Sequence, residues 1–351
     1  MDRVNLTTIK QESVRAVFGA ISHAERITRA EIAAQTGLSL MTVGKVVDVF
    51  LNRGIVKQVK EEKTASGRKA GLVSLNRDYY FLLIDLTKQP YSFHIVDTTL
   101  QVTHEDTFPT RSGNSKSDHL IRLLKSIRLY LLRNSDPDFC ASAGVLLPAA
   151  LEGKEEPFIA SAVTGSQGKL LPDFFEEHLR IRPSLFLCDI SSSAESCLID
   201  SPQKAEGCSL YINADDSLRG AIVTENGVLH GKDHVAGAIE SLPIPEGGTL
   251  QSLYAEHGLD DLFLAELARA LSLEILLLDP VSVILDGGSG NVFRGKENKI
   301  LSKLAATLHR SVDSLPSVLF SGTGISTSLR GLALALRQNW VESDLTYPKK
   351  Q

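Results

Sequence analysis

Cysteine is scarce in this sequence, and the few cysteines are not grouped. Cys140, Cys188, Cys197 and Cys208 form no CxC or CxxC pair among 351 residues. The sequence therefore indicates neither a disulfide framework nor a structural zinc site. We expect all four to be small buried side chains.

Long hydrophobic runs are also missing. No stretch of about eighteen apolar residues occurs, and no charged-then-apolar leader follows Met1, so we expect a cytoplasmic protein without a membrane partner. A chain of 351 residues exceeds one ordinary hydrophobic core. Two or more domains are therefore predicted.

Charge is divided unevenly along the chain. Residues 1–78 hold 13 Lys and Arg against 8 Asp and Glu, whereas the remaining residues hold 24 against 34. Positive charge confined to one end is typical of a DNA-binding segment attached to an acidic body, because only the docking surface must neutralise phosphates. A solvated surface would also explain it.

Residues 27–75 predict a winged helix-turn-helix. Thr28 and Glu31 have capping-box spacing, which starts a short helix at Arg29. Gly37 ends that helix, and Ser39 caps the next one. Two short helices joined by so tight a turn are typical of DNA-binding proteins.

The second of these helices, which begins at Leu40, is amphipathic. Its apolar residues recur with helical spacing and predict one buried stripe, formed by Val43, Val46, Val47, Phe50 and Leu51. The opposite face carries Met41, Thr42, Lys45 and Asp48. We expect Met41, Thr42 and Lys45 to face the major groove, with Thr42 and Lys45 at base edges. Ser39 mainly caps the helix and also lies within reach of a phosphate.

A basic hairpin follows. Val56 and Val59 mark one strand, and Leu72–Leu75 marks the other. The connection between them carries Arg68 and Lys69, which suit a minor groove or the phosphate backbone. The alternative is a protein–protein module made of three small helices.

The remaining chain alternates strands and helices. Three strands near 79–86, 92–97 and 100–108 precede a helix near 117–133 and a strand at 143–147. Three strands recur at 208–213, 220–224 and 227–230, followed later by a buried strand at 281–285. Two successive β-β-β-α-β units predict two similar α/β lobes with a ligand cleft between them.

The order of these features resembles the ROK family, named for repressors, open reading frames and kinases. The matching stretches are SGRKAGLVSLN at 66–76, VLLP at 145–148 and PVSVILDGG at 280–288. With its N-terminal domain, the chain is similar to the transcriptional regulators of the NagC, Mlc and xylose-repressor branch. The resemblance implies a winged helix-turn-helix followed by a two-lobed ROK body of the actin/hexokinase, RNase H-like ATPase type. The expected domains are 1–78, 79–206 and 207–351, the last with oligomerisation surfaces.

The phosphate-binding elements of the family's kinases are altered here. The kinases carry Asp-x-Gly-Gly-Thr after the first strand, where this chain has Asp85-Leu86-Thr87-Lys88-Gln89. Their second glycine turn aligns with residues 214–220, which place Asp215 and Asp216 where a polyphosphate would lie. Like charges disfavour ATP there. Gly287, Gly288 and Gly290 then indicate only a tight strand-to-helix turn.

The sugar and zinc elements are also altered. The family's Asn-Asp pair, whose Asp is the kinase general base, aligns with Cys188-Asp189, and its Glu-x-Gly-His element aligns with Ala238–Ser241. No cysteine cluster follows in 242–252. We therefore expect no cofactor and no bound metal ion.

Asp189 and Glu240 each keep two interpretations, and two histidines lie near the same element. Asp189 either binds a hydroxylated effector or caps the helix that follows it. Glu240 either restores a carboxylate to the effector site or lies on the surface. His230 and His234 are expected to be hydrogen-bonded structural residues rather than metal ligands.

These observations predict a non-enzymatic, DNA-binding transcriptional regulator, a repressor of carbohydrate-related genes. Its partners would be a double-stranded DNA operator, a sugar or sugar-derivative effector bound at Asp189 and Glu240, and further copies of itself in a homodimer or homotetramer. Two alternatives remain: an ATP-dependent sugar kinase, and a DNA-binding protein whose body has lost its ligand.

Overall fold

The structure is a computed structural model. It describes residues 3–59, 71–108, 115–165, 169–200, 207–215, 217–224, 227–287, 291–321 and 327–343. Three β-sheets organise these residues, one with three strands and two with five. The small sheet belongs to an N-terminal head, and each large sheet forms the centre of one lobe.

The head combines three helices with an antiparallel sheet. Its elements are α1 (Arg3–Ser22), β1 (Ile27–Thr28), α2 (Arg29–Thr36), α3 (Leu40–Asn52), β2 (Val56–Val59) and β3 (Leu72–Leu75). The strands lie in the order β1-β3-β2. The predicted capping box of Thr28 and Glu31 is confirmed, and so is the cap at Ser39. Helix α2 ends at Gly37 as predicted, with a φ of 70°, a left-handed conformation that favours glycine because it has no Cβ.

The apolar stripe of α3 builds the core of the head. Val43, Val47 and Phe50 are fully buried, and Val46 and Leu51 pack partly buried against the same cluster. Phe18 of α1 meets Phe50 edge-to-face at 6.0 Å between ring centroids. The helix is therefore fixed by one face, which leaves the opposite face to solvent as the periodicity predicts.

The first lobe has an antiparallel meander joined to parallel strands. Its elements are β4 (Tyr80–Asp85), β5 (Tyr91–Asp97), β6 (Val102–Phe108), α4 (Lys116–Asn134), β7 (Cys140–Leu147), α5 (Glu156–Thr164), α6 (Leu171–Leu179), β8 (Leu185–Cys188) and α7 (Asp189–Asp200). The sheet order is β6-β5-β4-β7-β8, with β4, β7 and β8 parallel.

The second lobe repeats this topology. Its elements are β9 (Cys208–Ala214), β10 (Leu218–Thr224), β11 (Gly227–Leu229), α8 (Leu250–His257), α9 (Asp261–Leu278), β12 (Ser282–Asp286), α10 (Glu297–Leu308) and β13 (Ser317–Ser321). The order β11-β10-β9-β12-β13 matches the first sheet strand for strand. The predicted pair of β-β-β-α-β units is confirmed.

The last helix, α11 (Thr327–Ser343), does not pack on the sheet that precedes it. Leu329, Leu332 and Leu336 join Phe81 and Leu146 in a core cluster on the first sheet. The sequence analysis assigned all of 207–351 to the second lobe, whereas this helix packs on the first. An apolar helix is placed by the surface that buries it, and local periodicity does not identify that surface.

Helix α11 also packs closely on α7. A Cβ added to Gly331 would lie 1.8 Å from the backbone oxygen of Ser192, and the Ser192 hydroxyl donates to the Ser328 carbonyl at 2.8 Å. Only glycine permits this approach of the two backbones.

The C-terminal end of α11 enters the head. Val341 is buried in the core of the head, with Trp340 packed beside it. Arg53 donates hydrogen bonds to the carbonyls of Trp340 and Val341 at 3.0 and 3.1 Å. The Arg15 guanidinium pairs with Glu342 at 2.6 Å. One helix thus joins the first lobe to the head.

The cysteines are less uniformly buried than their scarcity led us to expect. Cys188 is buried, but Cys140 and Cys208 are only partly buried, and all three thiols are free. Cys140 has a pKa raised to about 11 by burial, which keeps it a thiol. Within the part of the chain that the structure describes, no helix has the length and apolar character needed to cross a bilayer.

We predict opposite effects of alanine at two helical glycines. Gly331→Ala should lower the free energy of unfolding by about 1–3 kcal/mol or more, because its Cβ would push α7 and α11 apart. Gly19→Ala, where no heavy atom lies within 4 Å, should raise it by about 0.5–1 kcal/mol. Urea denaturation followed by circular dichroism measures both. A Gly331→Ala midpoint at or above that of the unmodified protein would contradict this packing.

Candidate nucleic-acid interface and interlobe site

The first turn of α3 is the most exposed part of the head's helix pair. Met41 is 71% exposed, and Lys45 is exposed on the same side. The Ser39 hydroxyl accepts from the Thr42 amide at 3.1 Å and lies 2.9 Å from the Thr42 hydroxyl. The two hydroxyls therefore lie within hydrogen-bonding distance of each other, and Lys45, in the next turn of α3, is exposed.

An ion pair missed by the sequence analysis fixes α2 against α3. Arg29 donates to Asp48 at 2.6 Å, and both side chains are well exposed. Gly44 lies under this pair, since a Cβ there would be 3.8 Å from Arg29 Nη1. Arg29 adds a second cation near Lys45. Its partner Asp48 is 19 residues away, so no sequence spacing within one helix indicated the pair. An exposed pair contributes about 0–1 kcal/mol, so its role is mainly to orient.

The two predicted wing residues, Arg68 and Lys69, lie outside the described residues. Strands β2 and β3 lead into and out of the segment that contains them, paired from Val56 with Leu75 to Val59 with Leu72. Their proposed contact with DNA stays a prediction.

Asp189 lies between the lobes, at the end of β8 and in the first turn of α7. Its Oδ1 accepts from the Ile190 amide at 2.9 Å and lies 3.7 Å from Arg219 Nη1 of the second lobe. Burial raises the pKa of Asp189, and the guanidinium opposes that rise. The carboxylate accepts from the following amide in the first turn of α7 and also faces the opposite lobe, so both predicted roles stay predictions.

Arg219 was not singled out by the sequence analysis. It lies in β10, at the position of the family's second phosphate turn, and its Nε donates to Ser217 at 3.0 Å. It acts electrostatically on Asp189 and on Glu240. The sequence signal was its place in the altered turn, three positions after Asp216.

The first altered turn is held by a side chain instead of glycine amides. Asp85 Oδ1 accepts from the amide and the hydroxyl of Thr87 at 2.8 and 2.6 Å. This Asx-turn, in which the Asp85 side chain bonds the residue two positions later, holds the loop closed. The amide that a phosphate would need is already bonded.

Glu240 is bound within its own lobe. Its Oε2 accepts from the Gly220 amide at 3.0 Å, and burial raises its pKa. Glu274 of α9 lies near it, and burial together with the Glu240 charge raises the pKa of Glu274 to about 7. Oε2 of Glu274 is buried without a hydrogen-bond partner among the described residues. These contacts give Glu240 a structural partner, and its proposed effector role stays a prediction.

The structure brings His230 and His234 together with Glu152 of the other lobe. One candidate ligand atom from each lies within 4.8 Å of the other two. The sequence analysis expected structural histidines and did not consider Glu152, which is 78 residues away from His230. The family's own zinc ligands do not fit this chain, because residues 242–252 contain no histidine or cysteine.

Comparisons with known proteins agree with this arrangement. No family model matches the chain. Over 106 residues, 30% of this chain, it is 26% identical to the DNA-binding transcriptional dual regulator NagC of Escherichia coli K12. The N-acetylglucosamine repressor of Shigella flexneri matches at the same identity. Each match spans only 26% of the relative's length.

Solved structures match over far more of the chain. A ROK family transcriptional regulator, described as a homolog of the E. coli MLC protein, superposes with a TM-score of 0.62 at 16% identity, over 95% of this chain and 98% of that one. The chain has the ROK fold. A ROK protein of Streptococcus pneumoniae in complex with sucrose gives 0.52 at 13% identity, over 76% of this chain and 100% of that one. The ROK hexokinase of Thermus thermophilus gives 0.50 at 18% identity, over 73% and 97%.

The resemblance to ROK proteins is thereby confirmed, with the two-lobed fold that it implied. The regulator structure covers 95% of this chain and the hexokinase covers 73% of it. At identities below one fifth, these likenesses establish the fold, and the chemistry must be argued from this chain's own residues.

We predict that Glu274 makes the stability of the protein depend on pH. Because its folded-state pKa of about 7 exceeds the ordinary value of 4.5, the stability it contributes is complete below about pH 4.5 and is lost as pH rises through 7. Glu274→Gln should remove this loss and raise the free energy of unfolding at pH 8 by at most about 3 kcal/mol.

Urea denaturation between pH 4.5 and 8 measures this effect. Glu256→Gln, which removes an exposed carboxylate from α8, is the control and should leave the pH dependence unchanged. Parallel pH profiles for Glu274→Gln and the unmodified protein would contradict the burial argument.

Proposed function

We propose that this protein is a transcriptional regulator of the ROK type that binds double-stranded operator DNA through α3 and a small-molecule effector between its lobes. We further propose that it is a cytoplasmic repressor of carbohydrate-related genes. The observation that carries the proposal is the exposed first turn of α3, which Ser39 caps, in a head that is joined to a body with the ROK fold.

The surface chemistry of the head supports DNA as the partner. Lys45 projects from the face opposite the buried stripe, Arg29 lies beside it, and residues 1–78 carry an excess of five positive charges. Phosphate contacts supply most of the affinity, and side chains in the groove supply sequence preference. Named relatives that are DNA-binding regulators favour the same partner.

The connection from cleft to head supports a sensing role for the body. Asp189 starts α7, Gly331 holds α7 against α11, and Trp340 and Val341 anchor α11 in the head. A ligand that moves Asp189 relative to Arg219 would therefore act on α7, on α11 and finally on α3. In a homodimer or homotetramer, this movement of α3 would change the distance between two heads. The heads must lie about 34 Å apart to contact adjacent turns of DNA.

We also propose that the protein does not transfer phosphate. The Thr87 amide is bonded to Asp85, and the residue that matches the kinase base, Asp189, faces a guanidinium. A general base must reach the substrate hydroxyl and accept its proton, which a paired carboxylate does poorly. An ADP-release assay with ATP and a panel of hexoses should give no turnover. Turnover would favour the sugar-kinase alternative.

The DNA interface is tested with Lys45→Ala. Fragments selected from the genome of origin for binding should be retained by the unmodified protein, and Lys45→Ala should weaken binding about five- to hundredfold in a gel shift at fixed salt, since a base contact contributes about 1–3 kcal/mol. Lys125→Ala, which removes an exposed cation from α4, is the matched control. Equal affinities for Lys45→Ala and the unmodified protein would refute the docking of α3.

The effector site is tested with Asp189→Asn. A thermal-shift screen with hexoses, amino sugars and their phosphates should identify a compound that raises the melting temperature and alters DNA affinity. Asp189→Asn should keep ligand-free DNA affinity but lose most of that response, because a hydrogen bond to a charged group contributes about 1.5–3 kcal/mol. Asp106→Asn on β6 is the control. A full response by Asp189→Asn would assign this residue to helix capping alone, and no response to any compound would favour a body that serves only assembly.

A further inference from the structure

Glu152, His230 and His234 form a group outside the altered family motifs. Glu152 follows a short 3-10 helix, Ala149–Leu151, that leaves β7 in the first lobe. His230 and His234 lie in the loop after β11 of the second lobe. The Nδ1 atom of His230 lies 3.4 Å from Oε1 of Glu152, and the two imidazole rings are 5.3 Å apart between centroids.

The carboxylate of this group has an unused oxygen. Oε1 of Glu152 accepts from the Ser191 hydroxyl at 3.1 Å, which orients the carboxylate. Oε2 is buried and has no hydrogen-bond partner among the described residues. A buried carboxylate oxygen without a partner costs free energy unless a cation or donor satisfies it.

The backbone is shaped to hold the histidines in place. His234 has a φ of 55°, a left-handed conformation that side chains other than glycine rarely adopt. Its ring lies on Gly153, where a Cβ would come within 2.1 Å of Cδ2. The residue next to Glu152 must therefore be glycine for the His234 ring to reach the carboxylate.

We propose that Glu152, His230 and His234 bind one divalent transition-metal ion, with Zn²⁺ the first choice. Two imidazoles and one carboxylate are borderline ligands that suit Zn²⁺ and Co²⁺ better than Mg²⁺ or Ca²⁺. Zinc bonds of about 2.0–2.1 Å place tetrahedral ligands about 3.3 Å apart, close to the 3.4 Å between Glu152 and His230. Small side-chain rotations bring in the third ligand, and a fourth position stays open to water or a solute.

This site has a mechanical consequence, because its ligands come from both lobes. A bound ion links the loop after β11, which carries His230 and His234, to Glu152 in the segment after β7. It also lies near the cleft residues, since Ser191, which orients Glu152, is two residues after Asp189. Metal occupancy thus fixes the lobes relative to each other independently of any effector.

The test is metal titration of the full chain after treatment with a chelator. Isothermal titration with ZnCl₂ and CoCl₂ should give one ion per chain, and the Co²⁺ spectrum should lack a thiolate charge-transfer band. His230→Ala, His234→Ala and Glu152→Gln should each weaken binding at least about tenfold, the scale seen when a metal site loses a supporting group. His257→Ala removes a histidine that is paired with Asp260 and has no third ligand among the described residues, so this variant should bind metal like the unmodified protein.

Folding is checked by circular dichroism and by the melting temperature in chelator. If Glu152→Gln does not fold, the exposed His230 and His234 variants decide the question. Cys188→Ser should keep full affinity, which separates this site from binding to the neighbouring thiol. Binding of less than one ion per chain, or unchanged affinity in a His230→Ala/His234→Ala double variant, would overturn the proposal.

Discussion

The packing of α11 against α7 is the contact on which the relation between body and head depends. Gly331 allows the backbones of α7 and α11 to touch at Ser192, and this contact sets the direction of the rest of α11. Ten residues further along, Val341 is buried in the head core. The position of α3 is therefore tied to a helix that packs on α7, and the head is held against the body by α11 as well as joined to it through residues 76–79.

The same constraint explains why the C-terminal half of α11 carries charged contacts. Arg337 lies 5.4 Å over the Phe18 ring of the head and donates to the Thr98 carbonyl of the first lobe. Arg53 caps the helix from the other side by bonding its last carbonyls. A guanidinium suits such a joint because its apolar stem packs while its planar donors bind oxygen in several directions.

In the cleft, side chains bond at both turns where the sequence lacks the kinases' glycines. Arg219 occupies a strand that would lead into a phosphate turn and faces Asp189 across the lobes. Asp85 closes the other turn through Thr87. Both contacts pair groups within the protein at the two altered turns.

Sequence reasoning was accurate where the signal is local. Thr28 with Glu31, Ser39 and Gly37 marked helix ends through caps that involve residues only three or four positions apart, and the duplicated strands followed from their alternation. It could not place α11, because which sheet buries an apolar helix depends on contacts across 180 or more residues. It also missed Arg29, Arg219 and Glu152, whose partners are distant in the chain. Pairing across a fold leaves no periodic trace in the sequence.

The contribution of Val341 to the head has a consequence for biosynthesis. The core that surrounds Phe50 and Val17 is incomplete until Val341, 291 positions after Phe50, has been made and packed against it. A ribosome adds about 5–20 residues each second, so the nascent head spends many seconds with that apolar surface uncovered. The head is synthesised before the body yet completed after it, and a chain that stops before Trp340 would leave the core of the head incomplete.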